Sequence, residues 1–183
     1  MRKLLVIDTE TGGLDANTNS LISLAAIVYN DGVEEAQFHE IIYDRDGVLD
    51  EDALKLNGFT WNQIVQFGEN PSSAVQRLRS FLMRHEMYGK IILAGHNLLF
   101  DVAFLKRLYR LAGDKFDDQF YHGGLDTKSI ALALEQAGRI TIASSSLKDV
   151  ATAYGVLPWR EHDALADARA TARVLKLMID SLR

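Results

Sequence analysis

The chain has 183 residues, 48% of them hydrophobic, and carries a formal net charge of −5. This length and composition are those of one globular domain, and the acidic balance gives no sign of the broad basic surface that coats long nucleic acid. The absence of cysteine excludes disulfides and thiolate metal sites. No apolar stretch predicts a membrane span or a signal peptide, so we expect a single cytoplasmic domain over residues 1–183.

The first predicted strand is the unbroken apolar run over residues 4–7, a pattern typical of a strand covered on both faces. Asp8 and Glu10 follow it, and because side chains alternate along a strand, both carboxylates point the same way. At an effective dielectric of about 20, two unit charges ~4 Å apart repel by roughly 4 kcal/mol. Two interpretations stay open: the acids hold a hard cation such as Mg²⁺, or they form a solvated strand end before the Gly12-Gly13 turn.

Two further strands are predicted in the first quarter of the chain, over residues 21–29 and 37–43. Asn30-Asp31-Gly32 between them is a hairpin signal. The three strands therefore predict an antiparallel meander with the Asp8 strand at one side.

Helices dominate the rest of the chain. The predicted elements are a helix over residues 50–56, a helix over 72–86, a strand over 90–94, a helix capped by Asn97 that runs to about 112, a strand at 125–126 followed by a helix through 134, a helix over 147–154 and a last helix after Asp163. The last helix has the clearest pattern, a stripe of apolar residues spaced alternately three and four apart from Leu165 to Leu182. Strands and helices around one mixed sheet predict an α/β domain.

Two more acids occupy equivalent places in two predicted helices. If Asn97 and Asp163 are the N-caps, Asp101 and Asp167 lie in first turns, where the helix dipole favours a carboxylate. Each acid either stabilises its own helix or faces a cleft. His162 is expected before the last helix, because five residues at about 100° each would separate it from Asp167 around the axis. It is either a surface histidine or a base that closes over bound substrate.

Three segments in this order carry a family resemblance: Asp8-Thr9-Glu10-Thr11-Gly12, Asn97-Leu98-Leu99-Phe100-Asp101, and His162 five positions before Asp167. Together they resemble the DEDD superfamily of 3′→5′ exonucleases, in the histidine-containing (DEDDh) branch that includes bacterial proofreading exonucleases and ribonuclease T. The resemblance implies a ribonuclease H-like fold with a five-stranded mixed sheet flanked by helices. It also implies release of nucleoside 5′-monophosphates from the 3′ end of DNA or RNA.

The same resemblance implies roles for single residues. Asp8, Glu10, Asp101 and Asp167 would bind two Mg²⁺ or Mn²⁺ ions, and His162 would take a proton from the attacking water. The implied substrate contacts are Thr11, Gly12, Gly13, Leu14, Asn57, Asn97 and Phe100. Asn57-Gly58-Phe59 stands where the family often has a His-Gly-Ile-type segment. Leu14, Leu56 and Phe59 are candidate wedges against terminal bases, which favours a single-stranded substrate.

Two other functions remain as alternatives. A haloacid-dehalogenase-type phosphatase also places Asp-x-Asp after a first strand, but here the second acid is Glu10, and that scheme gives His162 and Asp167 no role. A ribonuclease H-like module that binds nucleic acid or protein without chemistry would not need all five catalytic positions. The motifs do not predict the sugar of the substrate, a homodimer or a polymerase partner.

Overall fold

A computed structural model describes residues 3–156 and 162–182 of the chain. Five strands form one sheet: β1 (Leu4–Thr11), β2 (Leu21–Asn30), β3 (Val33–Ile41), β4 (Ile91–Gly95) and β5 (Phe120–Asp126). Their order is β3-β2-β1-β4-β5, with β1, β2 and β3 antiparallel and with β4 and β5 parallel to β1. The predicted meander and the five-stranded mixed sheet are therefore confirmed.

Eight helices flank the sheet in the described part of the chain. They are α1 (Glu51–Asn57), α2 (Trp61–Phe67), α3 (Pro71–Arg84), α4 (Leu98–Leu111), α5 (Phe116–Gln119), α6 (Thr127–Gln136), α7 (Leu147–Ala153) and α8 (Ala164–Ser181). None of these helices is both long enough and apolar enough to cross a bilayer.

Some boundaries differ from the predicted ones. β3 begins at Val33 rather than at residue 37, because the hairpin pairs Asn30 with Val33 at once and the polar start of this edge strand masks it. Only the last two residues of β5 were predicted, since its exposed middle contains two glycines. Helix α2 was missed because only one of its residues, Ile64, is buried, which leaves no periodic apolar pattern. A capping box between Thr60 and Gln63 starts this helix.

Strand β1 is covered on both faces, as its apolar run predicts. Leu5 and Ile7 belong to the core beneath α3 and α4, whereas Leu4 and Val6 pack in a second core against α8. The small residues of the α8 stripe are buried in that second core. The stripe was extended too far, because α8 ends at Ser181 and Leu182 is 63% exposed.

This layering decides which residues meet at the end of β1. Asp8 and Glu10 continue the Leu4–Val6 row toward α8, while Thr9 points to the opposite face, toward α4. The first turns of α4 and α8 each carry an acid, Asp101 and Asp167, to this same end of the strand. Two helix starts therefore meet one strand end.

Candidate active site

Three carboxylates meet where β1 leaves the core. One oxygen from each of Asp8, Glu10 and Asp167 lies within 4.8 Å of the others. Asp167 is held there by the first turn of α8, whose N-cap Asp163 accepts a hydrogen bond from the Ala166 amide at 3.1 Å. The predicted alignment of Asp8 with Glu10 and the predicted place of Asp167 in its helix are both observed.

Asp101 approaches the same place from the other face of β1. It lies in the first turn of α4, is only 4% exposed, and its Oδ1 accepts a hydrogen bond from Thr9 Oγ1 at 2.7 Å. It is not part of the compact trio, but its charge is the largest electrostatic contribution to the raised pKa of Asp8. The four acids therefore share one electrostatic environment around the strand end.

Burial is the largest cause of the raised pKa values of Asp8, Glu10 and Asp101. It raises the pKa of Glu10 to about 8, helped by the nearby Asp167, and raises the pKa of Asp101 to about 7 against the hydrogen bond from Thr9. Burial, followed by the charge of Asp101, also raises the pKa of Asp8 well above its ordinary value. Metal-free, the site therefore holds protons that a bound cation would displace.

In residues 3–156 and 162–182, no Lys or Arg forms an ion pair with Asp8, Glu10 or Asp101. Clustered carboxylate oxygens are the donor set that hard divalent ions prefer. The site therefore fits a divalent metal.

His162 lies where the sequence predicts it, on the segment just before α8. Its side chain is exposed, its backbone has φ 58°, and its backbone N–H donates to Asp167 Oδ2 at 3.0 Å. The histidine segment is thus joined through its backbone to one of the clustered carboxylates.

A cleft of about 740 Å³ opens beside Glu10, between the end of β1, helix α1 and the start of α4. Five of the predicted substrate contacts line it, namely Thr11, Gly13, Leu14, Asn57 and Phe100. Leu14 and Leu56 stand at its rim, 86% and 63% exposed. An acidic site at one end and exposed apolar side chains at the rim can receive a polar phosphate and a flat base together.

Two of the predicted contact residues, Gly12 and Asn57, also have structural roles. A Cβ on Gly12 would come within 2.6 Å of the Val48 carbonyl oxygen, so the turn needs glycine for close packing. Asn57 is 8% exposed and its side chain donates to the Thr11 carbonyl at 3.1 Å and accepts from the Phe59 amide at 3.1 Å. Asn57 thereby joins α1 to the end of β1.

Asn97 differs from its prediction. It occupies the N-cap position of α4, but with φ 63° its side chain makes no capping hydrogen bond, and it does not line the cleft. Instead, Asp126 Oδ1 accepts from the backbone amides of Asn97 at 2.8 Å and Leu98 at 3.5 Å, and from that of Lys128 in its own helix α6. The sequence did not reveal this cap because it comes from a neighbouring strand, β5, rather than from the local chain.

Comparison with known proteins identifies the family. The exonuclease family model RNase_T matches residues 5–175, so the chain belongs to this family of exonucleases. The DEDD 3′→5′ exonuclease resemblance of the three motifs is confirmed. The phosphatase alternative is set aside, because its scheme belongs to another family.

Individual relatives are distant. The chain is 28% identical over 180 residues to the DNA polymerase III PolC-type of Thermotoga petrophila, a match covering 98% of this chain and 12% of the polymerase. It is 24% identical over 189 residues to the ribonuclease T of Haemophilus ducreyi, covering 98% of this chain and 86% of that protein. The chain thus spans about an eighth of the polymerases that it matches.

Solved structures share its architecture. E. coli exonuclease I in complex with a dT13 oligonucleotide superposes with a TM-score of 0.80 at 21% identity, over 97% of this chain and 41% of that one. The zinc-bound form of an E. coli exonuclease I complex with single-stranded DNA gives a TM-score of 0.82 at 20% identity, over 100% of this chain and 43% of that one. These similarities show the ribonuclease H-like fold.

Proposed function

We propose that this chain removes nucleoside 5′-monophosphates stepwise from the 3′ end of single-stranded DNA or RNA, by hydrolysis that needs two divalent ions. The observation that carries the proposal is the trio of Asp8, Glu10 and Asp167 oxygens within 4.8 Å of one another, beside an open cleft. Family membership places the chain among exonucleases, and the clustered carboxylates support a metal-dependent reaction.

Asp8, Glu10, Asp101 and Asp167 are proposed to hold two Mg²⁺ or Mn²⁺ ions. Their support is the donor chemistry: carboxylate oxygens, raised pKa values for Asp8, Glu10 and Asp101, and no basic partner on these three acids within the described residues. When bound, two such metal ions stabilise the charge of the attacking and leaving oxygens. The protein holds the four carboxylates on a rigid strand and two helix starts.

His162 is proposed as the general base that takes the proton of the attacking water. An imidazole with an unperturbed pKa near 6.5 is largely neutral at about pH 7 and can accept that proton. The side chain is exposed on the segment before α8, and the contact of its own backbone N–H with Asp167 supports this role. Its role is proton transfer rather than metal binding.

The cleft is proposed to hold the terminal nucleotide. The backbone of Thr11, Gly12 and Gly13 would lie along it, with Leu14 and Leu56 against the base and Phe100 opposite. Apolar side chains that stack on a base contribute roughly 1–3 kcal/mol without reading sequence, which favours frayed or single-stranded ends. Asn57 and Asn97 remain proposed contacts. The side chain of Asn57 already donates to the Thr11 carbonyl, and Asn97 lies outside the cleft.

The test is a matched pair of 5′-labelled single-stranded DNA and RNA oligonucleotides incubated with Mg²⁺ or Mn²⁺. We expect a ladder shortened one nucleotide at a time from the 3′ end, abolished by Asp8→Ala and retained by Asp117→Ala, which removes an exposed acid that pairs with His122. Retention of intact oligonucleotide on the protein under both metals would instead support the binding module.

A further inference from the structure

Thr9 lies between two proposed ligands in sequence but faces away from them. Asp8 and Glu10 point toward α8, whereas the Thr9 hydroxyl donates to Asp101 Oδ1 at 2.7 Å on the α4 face. Thr9 is 8% exposed and Asp101 is 4% exposed, and the two residues are 92 positions apart. This is a buried contact between the strand and the helix that carry different parts of the site.

We propose that Thr9 is a positioning residue, whose hydroxyl holds the Asp101 carboxylate in the orientation in which its other oxygen can bind a divalent cation. The inference rests on the proposed function, because it assigns Asp101 to the metal site. It adds a role for the middle residue of the first motif. One segment of three residues would then supply two ligands on one face and orient a third ligand on the other.

The hydroxyl is suited to this role. A distance of 2.7 Å is in the range of hydrogen bonds from a hydroxyl to a carboxylate, which are stronger than those between neutral groups. Threonine is β-branched, so its side-chain rotamer is restricted, and the backbone of Thr9 is held in the sheet opposite Leu24 of β2. The sheet and the restricted rotamer therefore hold the donor on the face that Asp101 occupies.

Groups that orient a ligand from outside the coordination shell commonly change metal affinity or activity by about 10- to 100-fold when they are lost. A contact that only joined α4 to β1 would change stability alone. Metal affinity measured apart from activity therefore separates the two roles.

The experiment compares Thr9→Val, which keeps the shape and removes the donor, with Thr9→Ser, which keeps the donor. Thr171→Val is the matched control, because Thr171 is likewise a buried threonine but its Oγ1 has no hydrogen-bond partner among the described residues. Calorimetry with Mn²⁺ gives the affinity, nuclease assays give the metal concentration for half-maximal rate, and thermal melts without metal confirm folding.

We expect Thr9→Val to weaken Mn²⁺ binding and raise the half-maximal metal concentration by about 10-fold or more, with Thr9→Ser within about twofold of wild type and Thr171→Val unchanged. If Thr9→Val does not fold, Thr9→Ala also removes the hydroxyl donor and places no methyl group against Asp101. A folded Thr9→Val or Thr9→Ala protein with wild-type Mn²⁺ affinity overturns the inference.

The two proposals fail in different ways. A wild-type protein that binds Mn²⁺ but shortens neither oligonucleotide contradicts the proposed function, while the affinities of the Thr9 variants still decide the positioning role. A wild-type protein that binds no Mn²⁺ overturns both.

Discussion

At the scale of single residues, the site is a set of acids that the fold brings together against their mutual repulsion. Burial raises the pKa of Glu10 from its usual 4.5 to about 8, and that of Asp101 from 3.8 to about 7. Acids that are costly to ionise in the metal-free fold become ligands once a cation is present. The energetic cost of the cluster is thus linked to its proposed function.

This linkage predicts how stability depends on pH. Because the folded state holds protons on Glu10 and Asp101 that the unfolded state releases, metal-free protein should lose stability as the pH rises to about 8. Burial lowers the pKa of His96, so this residue makes stability rise with pH below about pH 6.5. The loss of stability is therefore clearest between about pH 6.5 and pH 8. Thermal melts in chelator should show a falling melting temperature there.

Two controls accompany that measurement. Mg²⁺ should remove most of the decline, and Glu10→Gln should make it shallower without metal, because one of the groups that loses a proton is gone while Asp8 and Asp101 remain. A metal-free melting temperature that rises across this window would contradict the assigned pKa shifts.

His162 has a prediction of its own at this scale. His162→Ala should slow nucleotide release by about 10²- to 10⁴-fold, the usual contribution of a general base, while dication affinity stays near wild type. Affinity is retained because the contact with Asp167 comes from the backbone N–H, which alanine keeps. His122→Ala, at another exposed histidine, should have no effect. Loss of metal binding in His162→Ala would show that the side chain is a ligand.

At the scale of elements, one strand and two helix starts build the site, and they differ in how well the sequence reveals them. β1 and α8 have strong local patterns, an apolar run and a regular stripe, so Asp8, Glu10 and Asp167 could be placed from sequence. The contacts of Thr9 and Asp126 with α4 could not, because both join segments that are far apart in the chain. Helix α2 was also missed, because a seven-residue helix with one buried residue has almost no periodic signal.

Asp126 accepts the hydrogen bonds of the amides at the start of α4. Asp126→Ala should lower the free energy of unfolding by about 1–3 kcal/mol, since two α4 amides and the α6 cap lose their acceptor, and should reduce activity by shifting Asp101. Asp126→Asn keeps an acceptor and should cost less. Denaturant unfolding and the nuclease assay measure both effects.

Ser146→Ala is the matched control, because Ser146 caps α7 through the Asp149 amide. It should lower stability by about 1 kcal/mol and leave activity unchanged. Equal loss of activity in the Ser146 and Asp126 variants would mean that Asp126 acts only on global stability.

At the scale of the whole molecule, a buried ion pair joins the segments around the cleft. Arg107 on α4 binds Asp44 at 2.6 Å and donates to the Asn17 carbonyl at 2.6 Å, and both charged side chains are nearly inaccessible. The loop that follows Leu14 is thereby fixed to the helix that carries Asp101.

Arg107→Met should therefore lower the free energy of unfolding by about 3–5 kcal/mol, because it leaves the Asp44 carboxylate buried without its partner. Arg107→Met with Asp44→Leu, which removes both charges, should recover much of that loss. Urea unfolding of the two proteins measures the difference, and an equal loss in both would show that packing of the arginine rather than its charge is what matters.

Acids from β1, α4 and α8 are proposed to form one metal site. The most direct measurement is an anomalous difference map from crystals grown with Mn²⁺. We predict manganese peaks within coordination distance of Asp8, Glu10, Asp101 and Asp167, next to the cleft. A map from Mn²⁺-saturated crystals with no peak among these four carboxylates would contradict the account.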